Sequence, residues 1–279
     1  MKKFSVFLTA AVLSVFMCMS SLASTEIGLN LDWKYAGNSK INTGKAMLYT
    51  TDVAESARKG ITVAVNAGHG TKGGGSVRTL CHPDGTKKVT GGSTAAGNTT
   101  ATAVSAGMTF SDGTAEPVVT LMVAESLKKK LLADGYDVLM IRDDKDVQLD
   151  NIARTVIANN KADCHIAIHF DSTKSDKGAF YMSTPDALKS MEPVSTYWQK
   201  HEKLGESLIA GLKGSGMKIF SNGSMDMDLT QTAYSTVPSV DIEVGDKASD
   251  HSAAACEKIA GGLLDGINIY YGFSEPAQN

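Results

Sequence analysis

A few ionisable side chains at the ends of regular segments carry the chemistry this chain could do. His69 sits in the turn Ala67-Gly68-His69-Gly70, where a glycine on either side lets the backbone expose an imidazole. His169 stands at the end of the apolar run Cys164 to Phe170. Glu116 immediately precedes Pro117, and Glu243 lies near the end of the run Val237 to Val244. Two imidazoles with one carboxylate form a set that holds a catalytic zinc and leaves a fourth position for water. Each signal also has an ordinary reading: a glycine turn, favourable charge at a helix start, or a satisfied strand-end histidine. Only the joint placement lifts the metal reading above these.

Spacing separates the histidines. His165 and His169 share one face of a strand but stand roughly 13 Å apart at ordinary strand rise. They cannot bind one metal unless the strand breaks. His169, beside the loop from Asp171, is the rim residue, and His165 reads as a core histidine. Asp241 shares a face with Glu243, roughly 7 Å away. It either orients a ligand histidine from behind or is a partnered acid outside the site. Cys81-His82-Pro83-Asp84 lacks a complete ligand set for a second metal. Asp143, Asp144 and Asp146 lack the spacing of a calcium loop and read as a solvated turn.

The segments that must position these groups alternate in type. Ile61 to Asn66 is a β-branched strand running into the His69 turn. Glu116-Pro117 opens a helix with Val118, Leu121, Val123, Leu127, Leu131 and Leu132 as its expected buried stripe, stopped by Gly135. Strands follow at 136–141, 164–170, 178–182 and 237–244, and helices at 149–161, 197–212 and 253–270. This pattern predicts a single α/β domain with a twisted, mostly parallel sheet covered by helices on both faces. In such a sheet ligands gather at the carboxyl ends of the strands, where the four candidate groups fall. The expected boundaries are a signal peptide at 1–23, an N-terminal extension at 24–60, a catalytic domain at 61–273 and a loose tail at 274–279. Residues 71–115, rich in Gly, Thr, Ser and Ala, form an atypical loop insertion.

Composition limits the classes of function. Lys2-Lys3, the apolar run Phe4 to Met19 and Ser21-Leu22-Ala23 read as a secretory leader, too short for a confident membrane span. A retained N-terminal anchor is the alternative. Without Lys2 and Lys3, 25 basic side chains face 30 acidic ones, a net charge of −5. No basic block exists to attract nucleic acid or anionic lipid. Three cysteines follow the leader; Cys164 reads as a buried hydrophobe, while Cys81 and Cys256 could pair.

From Ile61 to Gly272 the order of segments resembles the zinc-dependent N-acetylmuramoyl-L-alanine amidases, the peptidoglycan amidases. The resemblance rests on Val63-Ala-Val-Asn-Ala-Gly-His69-Gly70; on Glu116 with its Leu-rich helix; on Gly135-Tyr136-Asp-Val138 and Arg142-Asp143; on Arg154-Thr-Val-Ile-Ala158-Asn159; on Ala162-Asp163 and Ala167-Ile168-His169; and on Pro238-Ser-Val240-Asp-Ile-Glu243-Val-Gly245. It implies Zn²⁺ held by His69, Glu116 and His169, with Glu243 as catalytic acid/base. The implied reaction hydrolyses the amide between N-acetylmuramic acid and the L-alanine of the stem peptide, in cell-wall remodelling or lysis. It implies peptidoglycan as partner and a periplasmic or extracellular place of action, and names no regulatory protein.

Departures bear on the substrate. Asn66-Ala67 replaces an Asp-Pro pair, His169-Phe-Asp171 stands where Ala-Asn is more usual, and Glu243-Val-Gly-Asp246 replaces a Glu-Leu-Gly-Phe pattern. The 71–115 stretch, far longer than the family's, reads either as a flap or side wall over the metal or as a flexible surface insertion. Two other functions stay open: an exported zinc amidase or peptidase acting on another peptide, and a non-catalytic wall-binding homologue.

Overall fold

The computed structural model describes residues 23–276, so the leader read at 1–23 lies almost wholly outside it. In chain order the strands are β1 Ser24–Gly28, β2 Lys45–Tyr49, β3 Thr62–Ala67, β4 Arg78–Leu80, β5 Thr100–Thr102, β6 Asp137–Met140, β7 Cys164–Asp171, β8 Ala179–Ser183, β9 Ile219–Asp226 and β10 Ser239–Asp246. The helices are α1 Glu116–Ala133, α2 Asn151–Lys161, α3 Val194–Gly214, α4 Thr230–Tyr234 and α5 Ala253–Tyr271. Eight strands form one sheet in the order β1-β2-β6-β3-β7-β10-β8-β9. The central pairs β6/β3, β3/β7 and β7/β10 are parallel, as is β8/β9. The pairs β1/β2, β2/β6 and β10/β8 are antiparallel.

Strand alternation decides which residues meet which helices. On one face Val63, Val65, Ile166, Ile168, Val240 and Ile242 pack under α1, α3 and α5 in the main core. On the other face Ala64 and Leu139 meet α2, and the polar residues of β7 and β10 look the same way. The site therefore lies on the α2/α4 side of the central strands, at their carboxyl ends, where α1 begins.

Several expectations change. The 24–60 stretch, read as an extension, supplies β1 and β2 to the sheet, and Asp150 anchors it: its carboxylate caps α2 through the Ala153 N–H and accepts the Ser39 hydroxyl. The stripe on α1 is shifted. Val119, Val123, Ala124, Leu127 and Leu131 are fully buried, whereas Val118 is 50% exposed and Leu121 half-buried. At the start of α1 the inward positions belong to Glu116, Val119 and Thr120, and the Thr120 hydroxyl bonds the Gly68 carbonyl at 3.1 Å. β9 and α4 have no periodic signature in sequence: β9 is a largely exposed, glycine-containing edge, and α4 is one short turn of helix. Cys81, Cys164 and Cys256 are buried free thiols, so the Cys81–Cys256 pairing is absent. Among the described residues no helix is long and apolar enough to cross a membrane.

Candidate metal centre

β3 ends at Ala67, and the chain then turns with His69 at φ 64, a left-handed conformation uncommon outside glycine. Two buried guanidiniums hold that turn. Arg142 donates to the carbonyls of Ala67 (3.1 Å), Gly68 (3.1 Å) and Pro117 (2.8 Å), and Arg154 to the carbonyls of Ala67 (3.3 Å) and His69 (2.5 Å). Both arginines belong to the segments that carry the family resemblance, and this grip accounts for them. Gly68 is required by closeness: a Cβ there would fall 2.4 Å from the His169 ring.

His69 Nδ1 lies 2.9 Å from the Ser105 carbonyl oxygen, which makes Nδ1 the protonated nitrogen and turns the Nε2 lone pair inward. Glu116, the first residue of α1, accepts the Met108 N–H on Oε2 (2.8 Å) and the Phe170 N–H on Oε1 (3.0 Å). His169 comes from the end of β7. His69 Nε2 stands 2.8 Å from Glu116 Oε1, and His169 Nδ1 stands 3.0 Å from His69 Nε2 and 3.2 Å from Glu116 Oε1. Three acceptor atoms meeting in this way suit a cation. Ligands about 2.1 Å from a tetrahedral zinc lie about 3.4 Å from one another, close to these spacings. Among the described residues this is the group of three or more His, Cys, Asp or Glu side chains able to hold a metal ion.

The surroundings are acidic. Glu243 pairs in register with His169 on the neighbouring strand, and its Oε2 is buried without a hydrogen-bond partner. Asp241 Oδ2 lies 3.7 Å from His169 Nε2, on the side of the ring away from the other ligands. Burial opposes a charged His169, yet Asp241, Glu116 and Glu243 push the imidazole up to about 10. Burial likewise pushes Glu116 up, but hydrogen bonds from His169 and His69 hold it well below the ordinary carboxylate range. Burial, with Asp241 and Glu116 nearby, drives Glu243 well above its ordinary value despite His169. Burial raises Asp241 as well as Glu243, so three carboxylates crowd two imidazoles at the expense of their charged forms, and a divalent cation there would favour ionisation of all three.

A family model, N-acetylmuramoyl-L-alanine amidase, matches residues 63–268. The chain belongs to this family. The match covers nearly the whole span over which the sequence resembles these amidases. No curated protein sequence matches significantly. Among solved structures, the chain is similar to the N-acetylmuramyl-L-alanine amidase Ami1 from Mycobacterium smegmatis, at 18% identity and TM-score 0.61, over 77% of this chain and 98% of that one. It is similar to the N-acetylmuramoyl-L-alanine amidase from Clostridium difficile 630, at 17% identity and TM-score 0.54, over 76% and 97%. It is also similar to the CwlD amidase from Clostridioides difficile, solved in complex with the GerS lipoprotein, at 18% identity and TM-score 0.53, over 77% and 100%. At these identities the structures establish the amidase fold.

Within that fold His69, Glu116 and His169 come together, with Glu243 and Asp241 beside them. His165 lies away from them, fully buried, with neither ring nitrogen hydrogen-bonded. Cys81-His82-Pro83-Asp84 forms no second ligand group among the described residues. Ser105, which meets His69 Nδ1 through its carbonyl and its hydroxyl (3.1 Å), and Met108, which acts through its N–H, escape sequence reasoning because their stretch carries no motif.

Proposed function

We propose that the protein hydrolyses the amide between N-acetylmuramic acid and the L-alanine of the peptidoglycan stem peptide, using zinc held by His69, Glu116 and His169. The convergence of those three ligand atoms next to Glu243, in a chain of the amidase family, carries this reading. A zinc ion there would polarise the scissile carbonyl and make an attacking water acidic. Glu243 takes the proton from that water and delivers it to the departing alanine nitrogen. Its buried, unpaired oxygen suits a group that must exchange a proton with substrate. The Ser105 carbonyl fixes the tautomer of His69, and Asp241 orients His169 through Nε2. The leader-like residues 1–23 and the wall substrate support export to the periplasm or cell surface. Digesting both intact sacculi and soluble muropeptides, with mass spectrometry of the products, tests the reading. Peptides with a free amino-terminal alanine, alongside sugars without peptide, are expected; cleavage within the peptide or the glycan would overturn it.

A further inference from the structure

The insertion, read as a flap or side wall over the metal or as a flexible surface insertion, reaches the candidate ligands directly. β4 and β5 pair antiparallel within it, and its last turns supply the Ser105 carbonyl to His69 and the Met108 N–H to Glu116. Its middle is tied to the segment leaving β9. His82 and Asp228 are both fully buried and meet at 2.9 Å. The Val89 N–H donates to Asp228 Oδ2 at 2.7 Å, the Asp228 N–H donates to the Thr90 hydroxyl at 2.8 Å, and Lys88 Nζ donates to the Asp228 carbonyl. Leaving a buried hydrogen-bonding group without its partner is costly, so this tie does not open readily.

The tie closes one side of the site. Met227 immediately precedes Asp228 and Gly92 lies two residues beyond Thr90, and a Cβ at Gly92 would lie 3.6 Å from Met227 Sδ. Two cavities meet at the ligands, one of about 530 Å³ and one of about 210 Å³, and Ser93, Met182 and Met227 border both. The smaller is also bordered by Asn66, Arg154 and Gln231. The scissile amide joins the sugar's lactyl group to the stem peptide, so sugar and peptide lie on opposite sides of the reacting carbonyl. Here the side toward the smaller cavity is narrowed by Ser93, Met182 and Met227.

We propose that residues 82–93, tied to Met227 and Asp228, make this amidase selective for single, uncross-linked muropeptide fragments and exclude the glycan strands of intact wall. This rests on the amidase reading above. The steric wall acts by rejecting the wrong substrate rather than by binding the right one better. The test compares turnover of soluble muropeptides with turnover of intact sacculi, for the full-length protein and for two variants. Met227→Gly widens the neck without removing a buried charge, and Asp228→Asn unties the strap; a circular-dichroism melt shows whether each is folded. The wild-type protein is expected to favour soluble fragments roughly tenfold or more, and Met227→Gly to shrink that preference severalfold. Equal turnover of the two substrates by the wild type, or an unchanged preference in folded Met227→Gly, would overturn the proposal while leaving the amidase reading intact. Cleavage of neither substrate by the wild type would remove the amidase reading, and this inference with it.

Discussion

Glu243→Gln keeps the shape of the side chain and removes its capacity to carry a proton. The variant should retain its metal and lose kcat by on the order of 10² to 10⁴, checked by steady-state rates beside elemental analysis; near-normal turnover would remove Glu243 from the mechanism. Asp241→Asn probes a different role. If Asp241 orients His169, metal affinity should fall by about 10- to 100-fold in competition with a chelator, with the fold unchanged. An unaltered affinity would leave Asp241 a bystander. At this scale the sequence was informative where a side chain itself joins the His69, Glu116 and His169 group. His69 was legible from its flanking glycines, and His169 from the strand rise that separates it from His165. Ser105 and Met108 were not legible, because their stretch carries no motif and a backbone carbonyl or N–H leaves no trace in residue identity.

Elements act on the site chiefly through the insertion and the start of α1. Gly107, at φ +83, lies where a Cβ would come within 2.7 Å of the His69 ring and 2.8 Å of Glu116 Oε2. Gly97, at φ +85, has open space around it. Both Gly→Ala variants bear the left-handed backbone cost of about 1 kcal/mol, but only Gly107→Ala should also displace two ligands. Thermal melts should fall for both and metal binding for Gly107→Ala alone; equal metal binding would mean that the insertion does not set ligand geometry. The strongly patterned elements were legible: β3, β7 and β10 as apolar runs, α2 from its inward Ile152, Val156 and Ile157. The α1 stripe was legible at Val123, Leu127, Leu131 and Leu132 but not at its start, because hydrophobicity does not show that the polar Glu116 and Thr120 turn inward toward the site. β1, β2 and β9 gain their structure by pairing with neighbouring strands, which local sequence does not encode. The tie between His82 and Asp228 spans 146 residues and was equally invisible.

Across the whole molecule, the sheet buries two histidines in neutral form. Burial lowers His165 to about 3 and His201 to about 4, from an ordinary value of 6.5. Below pH 6.5 the unfolded chain therefore binds protons that the folded one refuses. Their stabilisation is complete above pH 6.5, shrinks as pH falls, and is gone below about pH 3. Each contributes a slope of up to about 1.4 kcal/mol per pH unit within its window. His165→Gln should flatten the fall in stability between pH 6 and pH 4 in urea melts, whatever its effect at neutral pH; an unchanged slope would mean that His165 is not the group being titrated. The α/β class and the placing of the site at the strand ends were legible because alternation of strand and helix leaves few arrangements of one sheet. The shape of the cleft was not, because its walls are the segments without periodicity.

The central claim is that one zinc, held by His69, Glu116 and His169, drives amide hydrolysis. Titrating zinc into chelator-treated protein while following release of alanine-terminated peptide from a soluble muropeptide tests it most directly. Activity should be lost on chelation and rise linearly to a break at about one zinc per chain. Full activity in the metal-free protein, or a rise with no break near one equivalent, would contradict it.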